Sequence, residues 1–153
     1  MIKLKVLTKS PFVRFEQNGN RIDVTCAEFV KEYTEGLVKH DGFGIEYKQG
    51  AIFRISLGFA AEIEKGYEAE VVSRSSTRDK FGVILSNSVG VIDDSYCGEN
   101  DIWMLEFIAI QDGKMKFGER VAQFRLTKSE EVKIEYVEEL KHKNRGGFGS
   151  TGK

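Results

Sequence analysis

The sequence predicts an all-β protein, a sandwich or barrel with little helix, on three observations. Apolar residues recur with a period of two rather than 3.6, the pattern of strands with one buried face. β-Branched and aromatic residues concentrate in two long apolar runs, Ile52–Leu57 and Trp103–Ile110. Sixteen glycines punctuate the chain, separating short segments at spacings of about ten residues, as in sandwiches and barrels. A chain of 153 residues is sized for one domain that buries roughly 70% of its unfolded surface.

The elements follow in order. Ile2, Leu4 and Val6 alternate with Lys3 and Lys5, a first strand. Ile22, Val24 and Cys26 alternate with Asp23 and Thr25, a second. The stretch 27–37, AEFVKEYTEGL, is the only plausible helix, and the long interval from Asp23 to Tyr67 has room for an extra hairpin or helix. Ile52–Leu57 and Trp103–Ile110 read as β-rich strands, and Gln111-Asp112-Gly113-Lys114 as a hairpin turn between strands. Val132, Ile134 and Tyr136 alternate with Lys133 and Glu135, a last strand with one buried face. From Lys141 the apolar spacing stops and glycine takes over. Residues 1–140 are therefore expected to form the β domain and 141–153 a mobile C-terminal arm.

Composition excludes several classes of function. A net charge of −1 and a pI near 6.2 provide no basic field for nucleic acid. Two cysteines, Cys26 and Cys97, are too few for a disulfide framework and suit a reducing compartment. No apolar run approaches the ~20 residues of a membrane span, and the first residues lack a signal peptide's apolar block. The expectation is a soluble, cytoplasmic protein (host cytoplasm or nucleus if viral) with no nucleic-acid or membrane partner.

Four polar, glycine-flanked clusters interrupt the β pattern: Ser73-Arg74-Ser75-Ser76, NSVGVIDDSYCGE from Asn87 to Glu99, GERVAQ from Gly118 to Gln123, and the tail GGFGSTGK from Gly146. Each has a bland reading. The first is a turn or helix start with hydroxyls on backbone amides. The second is a strand leaving the core through an Asx-type turn, and Gln123 is an edge polar group. The tail fits most of a phosphate-loop pattern, yet no residues follow to build the helix such a loop needs.

Together the clusters are chemically complementary. Arg74 offers a planar fork for phosphate beside the hydroxyls of Ser75 and Ser76. Asp93 follows an apolar strand and suits a general base in a partly dry site. Tyr96 suits stacking on a sugar or base, and the tail adds glycine amides, Arg145 and Phe148. This combination points to a nucleoside polyphosphate.

In order and spacing the clusters resemble the motifs of the trimeric deoxyuridine triphosphatases (dUTPases). Arg74-Ser75-Ser76 stands for the second motif, Asn87–Gly98 for the third, GERVAQ for the fourth and Gly146–Gly152 for the fifth. The first, Ala-Gly-x-Asp-Leu in the family, reads Arg21-Ile22-Asp23-Val24 over its last four positions. It keeps the aspartate and loses the glycine.

The resemblance implies a distorted β-barrel of jelly-roll type assembled as a homotrimer with shared active sites, and cleavage of dUTP to dUMP and pyrophosphate with Mg²⁺. Asp93 would activate the attacking water, and Arg74, Ser75, Ser76 and Gln123 would hold phosphates. Asn87, Gly90 and Ile92 would line the uracil pocket on a hairpin running from Ser86 to Tyr96, with Tyr96 against the deoxyribose. Asp23 would serve Mg²⁺ through water. Phe148, Gly149, Ser150 and Thr151 would close over a neighbouring subunit's site, with Arg145 (or Lys143) as the arm's cation. Three rivals stand beside this reading: a dCTP deaminase, alone or bifunctional, of the same fold, using Glu106; a non-catalytic nucleotide- or partner-binding protein; and a Walker-type hydrolase.

Overall fold

A computed structural model describes residues 1–149. Thirteen strands and one short helix follow one another among them: β1 (Leu4–Thr8), β2 (Phe15–Asn18), β3 (Arg21–Thr25), β4 (Glu28–Glu32), β5 (Val38–His40), β6 (Gly44–Tyr47), β7 (Ile52–Ile63), β8 (Tyr67–Val72), α1 (Thr77–Phe81), β9 (Val83–Leu85), β10 (Gly90–Ile92), β11 (Ile102–Ala109), β12 (Gly113–Lys116) and β13 (Arg120–Lys128).

They form two five-stranded sheets and a smaller three-stranded one. The first sheet runs β1-β7-β11-β9, with β4 also on β7. The second runs β10-β8-β13-β3-β2, and the third β12-β6-β5. All pairings are antiparallel, which suits sheets with one face packed and one free.

The core lies between the two large sheets. Phe53, Phe59, Trp103, Phe107 and Phe124 are fully buried there. Trp103 stands between Phe59 and Phe124, with ring centroids 4.9 and 5.1 Å away, and the Phe124 contact is edge-on, the arrangement that aromatic quadrupoles favour. β7 binds β1 along one half and β4 along the other, and Gly58 lies between the two paired stretches. There φ is +78° and a Cβ would come within 2.7 Å of the Ala27 side chain, so only glycine fits.

Three expectations are corrected. The stretch 27–37 is not a helix: β4 occupies it, paired with β7. Its Phe29 and Val30 suit a sheet, and the free edge of β7 supplies hydrogen bonds that outweigh local helix preference. The one helix is α1, which ends at Gly82 in the left-handed conformation (φ 65°). The turn at 111–114 joins β11 to β12, but these strands do not pair. β12 pairs with β6 and β11 with β7 and β9, so the segment links two sheets rather than closing a hairpin. Val132, Ile134 and Tyr136 form no strand and are 81%, 71% and 93% exposed. The extra room between Asp23 and Tyr67 is filled by the β5–β6 hairpin, the larger part of the third sheet.

The cysteines differ in reach. Cys26 is fully buried and unpaired, and burial pushes its thiol up to about 12, a shift only partly offset by a hydrogen bond with the Glu28 backbone. Cys97 is exposed. A chromogenic disulfide reagent should therefore titrate one thiol per native chain, and the second only after unfolding. Two fast thiols would show that the core around Cys26 opens readily.

Candidate active site

The second motif sits where β8 leaves its sheet for α1. The Thr77 backbone N–H donates to the Arg74 carbonyl (3.0 Å), and the Arg74 N–H to the Thr77 hydroxyl (2.9 Å). Thr77 is fully buried and donates in turn to the Val121 carbonyl (3.1 Å). This is the expected turn and helix start, except that Thr77, and not a serine, caps the amide. Ser75 is exposed, and the Ser76 hydroxyl faces Arg74 Nη1 at 3.4 Å.

Strand register brings Asp23 and Gln123 to the same place. Glu16, Asp23, Gln123 and Val72 lie side by side across β2, β3, β13 and β8. Asp23 is not a solvent-facing strand residue: it is 2% exposed. Its Oδ2 takes an ion pair from Arg74 Nε (3.0 Å), a second from Arg120 Nη1 (3.1 Å) and a hydrogen bond from Asn18 Nδ2 (2.8 Å). Arg120 also reaches Glu16 (3.1 Å). Gln123 stands in a central strand rather than at an edge, and its Nε2 donates to the Ser73 carbonyl (3.1 Å). The guanidinium of Arg74 is thus aimed by a buried carboxylate, with Nη2 left for an anion and Nη1 shared only with the Ser76 hydroxyl.

The third motif lines a separate cavity of about 600 Å³, whose walls include Asn87, Ile92, Asp93 and Tyr96. The segment after β9 crosses to the second sheet rather than folding back on β9. There Gly90, Val91 and Ile92 pair with Val71, Glu70 and Ala69. The crossing turn is tight: Ser88 takes φ 62°, and the Val89 N–H donates to the Asn87 carbonyl (2.6 Å).

Asp93 is exposed in the single chain, not partly dry as expected. Its Oδ1 accepts from the Ser95 hydroxyl and from the Ser95 N–H (2.8 Å). These bonds hold its carboxyl below the usual aspartate range, so the side chain is ionised at neutral pH. Tyr96 donates to the Ile102 carbonyl (2.9 Å), and partial burial together with Asp101 pushes its hydroxyl up.

Ser86 opens the segment expected to form the pocket, whereas Arg54 and Ser95 line the cavity without having been singled out in the sequence. Ser95 had a signal, since Asp-x-Ser is an Asx-turn pattern. Arg54 had none: only strand pairing brings it there. Arg120, inside GERVAQ, was likewise not foreseen as a holder of Asp23.

The arm makes no such contacts among the described residues. Arg145, Lys143 and Phe148 are exposed, and Arg145 Nε donates only to the Gly146 carbonyl (3.4 Å). Phe148 and Gly149 both have positive φ, 50° and 84°. Ser150 and Thr151 lie outside the described residues. Among the described residues no cluster of three or more acidic, histidine or cysteine side chains could cage a metal, and no helix is long and apolar enough to cross a membrane.

A family model described as dUTPase matches residues 45–152. Over 154 aligned residues the chain is 43% identical to the SPbeta prophage-derived deoxyuridine 5'-triphosphate nucleotidohydrolase YosS of Bacillus subtilis (strain 168), covering 99% of this chain and 97% of that protein. This chain belongs to the dUTPase family. The deoxyuridine 5'-triphosphate nucleotidohydrolase of Orientia tsutsugamushi (strain Boryong) is 41% identical over 100 residues, 64% of this chain and 67% of its own.

Among solved structures, the dUTPase of Staphylococcus bacteriophage 80alpha with dUPNHPP matches at a TM-score of 0.74 and 20% identity over 98% of each chain. The dUTPase from Streptococcus mutans matches at 0.66 and 22%, over 86% of this chain and 98% of that one. These likenesses establish a shared fold and bear out the expected jelly-roll class. Membership makes the chain a dUTP diphosphatase, an enzyme of nucleotide metabolism, and removes the deaminase and Walker-type rivals as primary readings.

Proposed function

We propose that the enzyme cleaves dUTP to dUMP and pyrophosphate in a homotrimer whose active sites are shared between chains. The observation that carries this reading is the division of the site within one chain. The cavity holding Asn87, Asp93 and Tyr96 is lined without Arg74, Ser75, Ser76 or Gln123. The stripe Val132, Ile134 and Tyr136 has strand alternation but no partner strand among the described residues. A neighbouring chain that accepts this stripe would carry the arm away from its own body and onto a site elsewhere.

In that assembly Asn87, Gly90 and Ile92 bind uracil, and Tyr96 packs on the deoxyribose. Arg74, Ser75, Ser76 and Gln123 hold the phosphates. Asp93 takes a proton from a water aimed at the α-phosphorus, and pyrophosphate leaves. Arg145, Phe148, Gly149, Ser150 and Thr151 close over the complex and exclude water.

The donor set suits Mg²⁺ carried by the triphosphate and its own waters rather than caged by protein. Asp23 fits an outer role, since its three partners all engage Oδ2 and leave Oδ1 for a water ligand. When bound, the ion neutralises phosphate charge. The reaction would keep uracil out of DNA and supply dUMP for dTMP synthesis, in the cytoplasm of the producing cell.

The test is subunit mixing. Asp93→Asn and Arg74→Ala variants should each release little pyrophosphate from dUTP. Unfolded and refolded together, they should recover a substantial fraction of wild-type rate, because some mixed trimers contain a site with both intact residues. No recovery from a mixture shown to contain hybrid oligomers would sink the shared-site reading.

A further inference from the structure

We propose that Glu106, with Ser86, is a positioning device that fixes Asn87 for base recognition. The inference rests on the reading of Asn87 as a uracil contact. Glu106 lies on β11, and its side chain lines the same cavity as Asn87, Asp93 and Tyr96. It grips Ser86, the residue just before Asn87, at two points. The Ser86 N–H donates to the Glu106 carbonyl (3.0 Å), and the Ser86 hydroxyl to Glu106 Oε2 (2.7 Å). On its other side Glu106 Oε1 faces Arg54 Nη2 at 3.7 Å. The carboxylate is therefore held from one side while it holds the turn from the other.

That turn needs holding. Ser88, two residues on, adopts φ 62°, a conformation that costs a non-glycine residue free energy and persists only where neighbours impose it. The Arg54–Glu106 pair is long and partly exposed (42% and 31%), so as a surface ion pair it contributes little to stability. Its geometric effect is larger. It fixes the orientation of the carboxylate that meets the Ser86 hydroxyl, and so the backbone position from which the Asn87 side chain projects. Recognition by hydrogen bonds depends on such placement more than recognition by apolar fit does.

Three variants test this with kcat/KM for dUTP, dCTP and dTTP, together with Tm. Glu106→Ala and Ser86→Ala should each lower the dUTP:dCTP ratio of kcat/KM by about tenfold. Glu106→Gln, whose amide oxygen still accepts from the Ser86 hydroxyl, should stay within about threefold of wild type. Asn87→Ala is the control: if it leaves the ratio unchanged, the reading of Asn87 as the base contact fails. If Asn87→Ala lowers the ratio while Glu106→Ala and Ser86→Ala lower only Tm, Glu106 is structural and the positioning role is overturned. Ser86→Ala removes a single hydroxyl, so the test survives even where Glu106→Ala folds poorly.

Discussion

Asp93→Asn is expected to lower kcat for dUTP by about 10²–10⁴-fold while the affinity for a non-hydrolysable imido analogue stays within about threefold. The substitution keeps the shape of the side chain and an oxygen that can accept from Ser95, so the turn should survive. It removes the only property a general base needs, an available lone pair of suitable basicity. In the native chain Ser95 donates twice to Oδ1 of Asp93. These bonds orient the carboxylate as well as stabilise its charge, and its pKa falls in consequence.

The sign of the pH effect follows. A depressed pKa keeps the base ionised until the pH falls below the ordinary aspartate value of 3.8, so Asp93 contributes no acid limb to kcat/KM above that point. Ser95→Ala should raise the pKa and shift any acid limb upward. Equal rates for wild type and Asp93→Asn across the pH range would remove Asp93 from the chemistry, and a large loss of analogue affinity would assign it to binding instead.

The residues that act locally were legible in the sequence, and those that act through pairing were not. Asp93, Tyr96 and Asn87 share one short segment, so their placement around one cavity can be read from their spacing before any fold is known. Arg74-Ser75-Ser76 is legible for the same reason, as a turn that starts a helix. The placement of Glu106 opposite Arg54, and of Gln123 beside Asp23, depends on register between strands far apart in the chain, which local periodicity does not encode.

The same distinction explains the errors. At 27–37 local preference was read as helix, but the open edge of β7 was decisive. At 132–136 the alternation predicts a strand with one buried face, yet no partner strand for it is present among the described residues. A strand pattern left exposed on a folded domain is itself informative, and in the trimer proposed above the surface that buries it belongs to a neighbouring chain.

Asp23→Ala should be the most destabilising change in the site, by about 2–3 kcal/mol, and should also raise KM for dUTP. Removing one partner of a buried ion pair costs about 3–5 kcal/mol when the other charge stays buried. Here the carboxylate is 2% exposed, but Arg74 and Arg120 are 20% and 38% exposed, so water relieves part of the penalty. Without Asp23 the two guanidiniums repel, the Asn18 amide loses its acceptor, and Arg74 no longer points one way. Denaturant unfolding would report the stability, and initial rates over a range of dUTP and Mg²⁺ concentrations the function.

Asp23→Asn separates the two roles of this residue. The amide keeps an acceptor for Arg74 but loses the charge that draws in both arginines and any hydrated cation. If Asp23 acts chiefly by aiming Arg74, KM for dUTP rises in both variants at saturating Mg²⁺. If its main role is outer-sphere contact with the metal, the Mg²⁺ concentration for half-maximal rate rises and excess Mg²⁺ restores KM. The short ion pair to a buried oxygen favours the first outcome. Full rescue by Mg²⁺ would make the cation, met through Oδ1, the main partner of Asp23 and the arginine contacts at Oδ2 secondary.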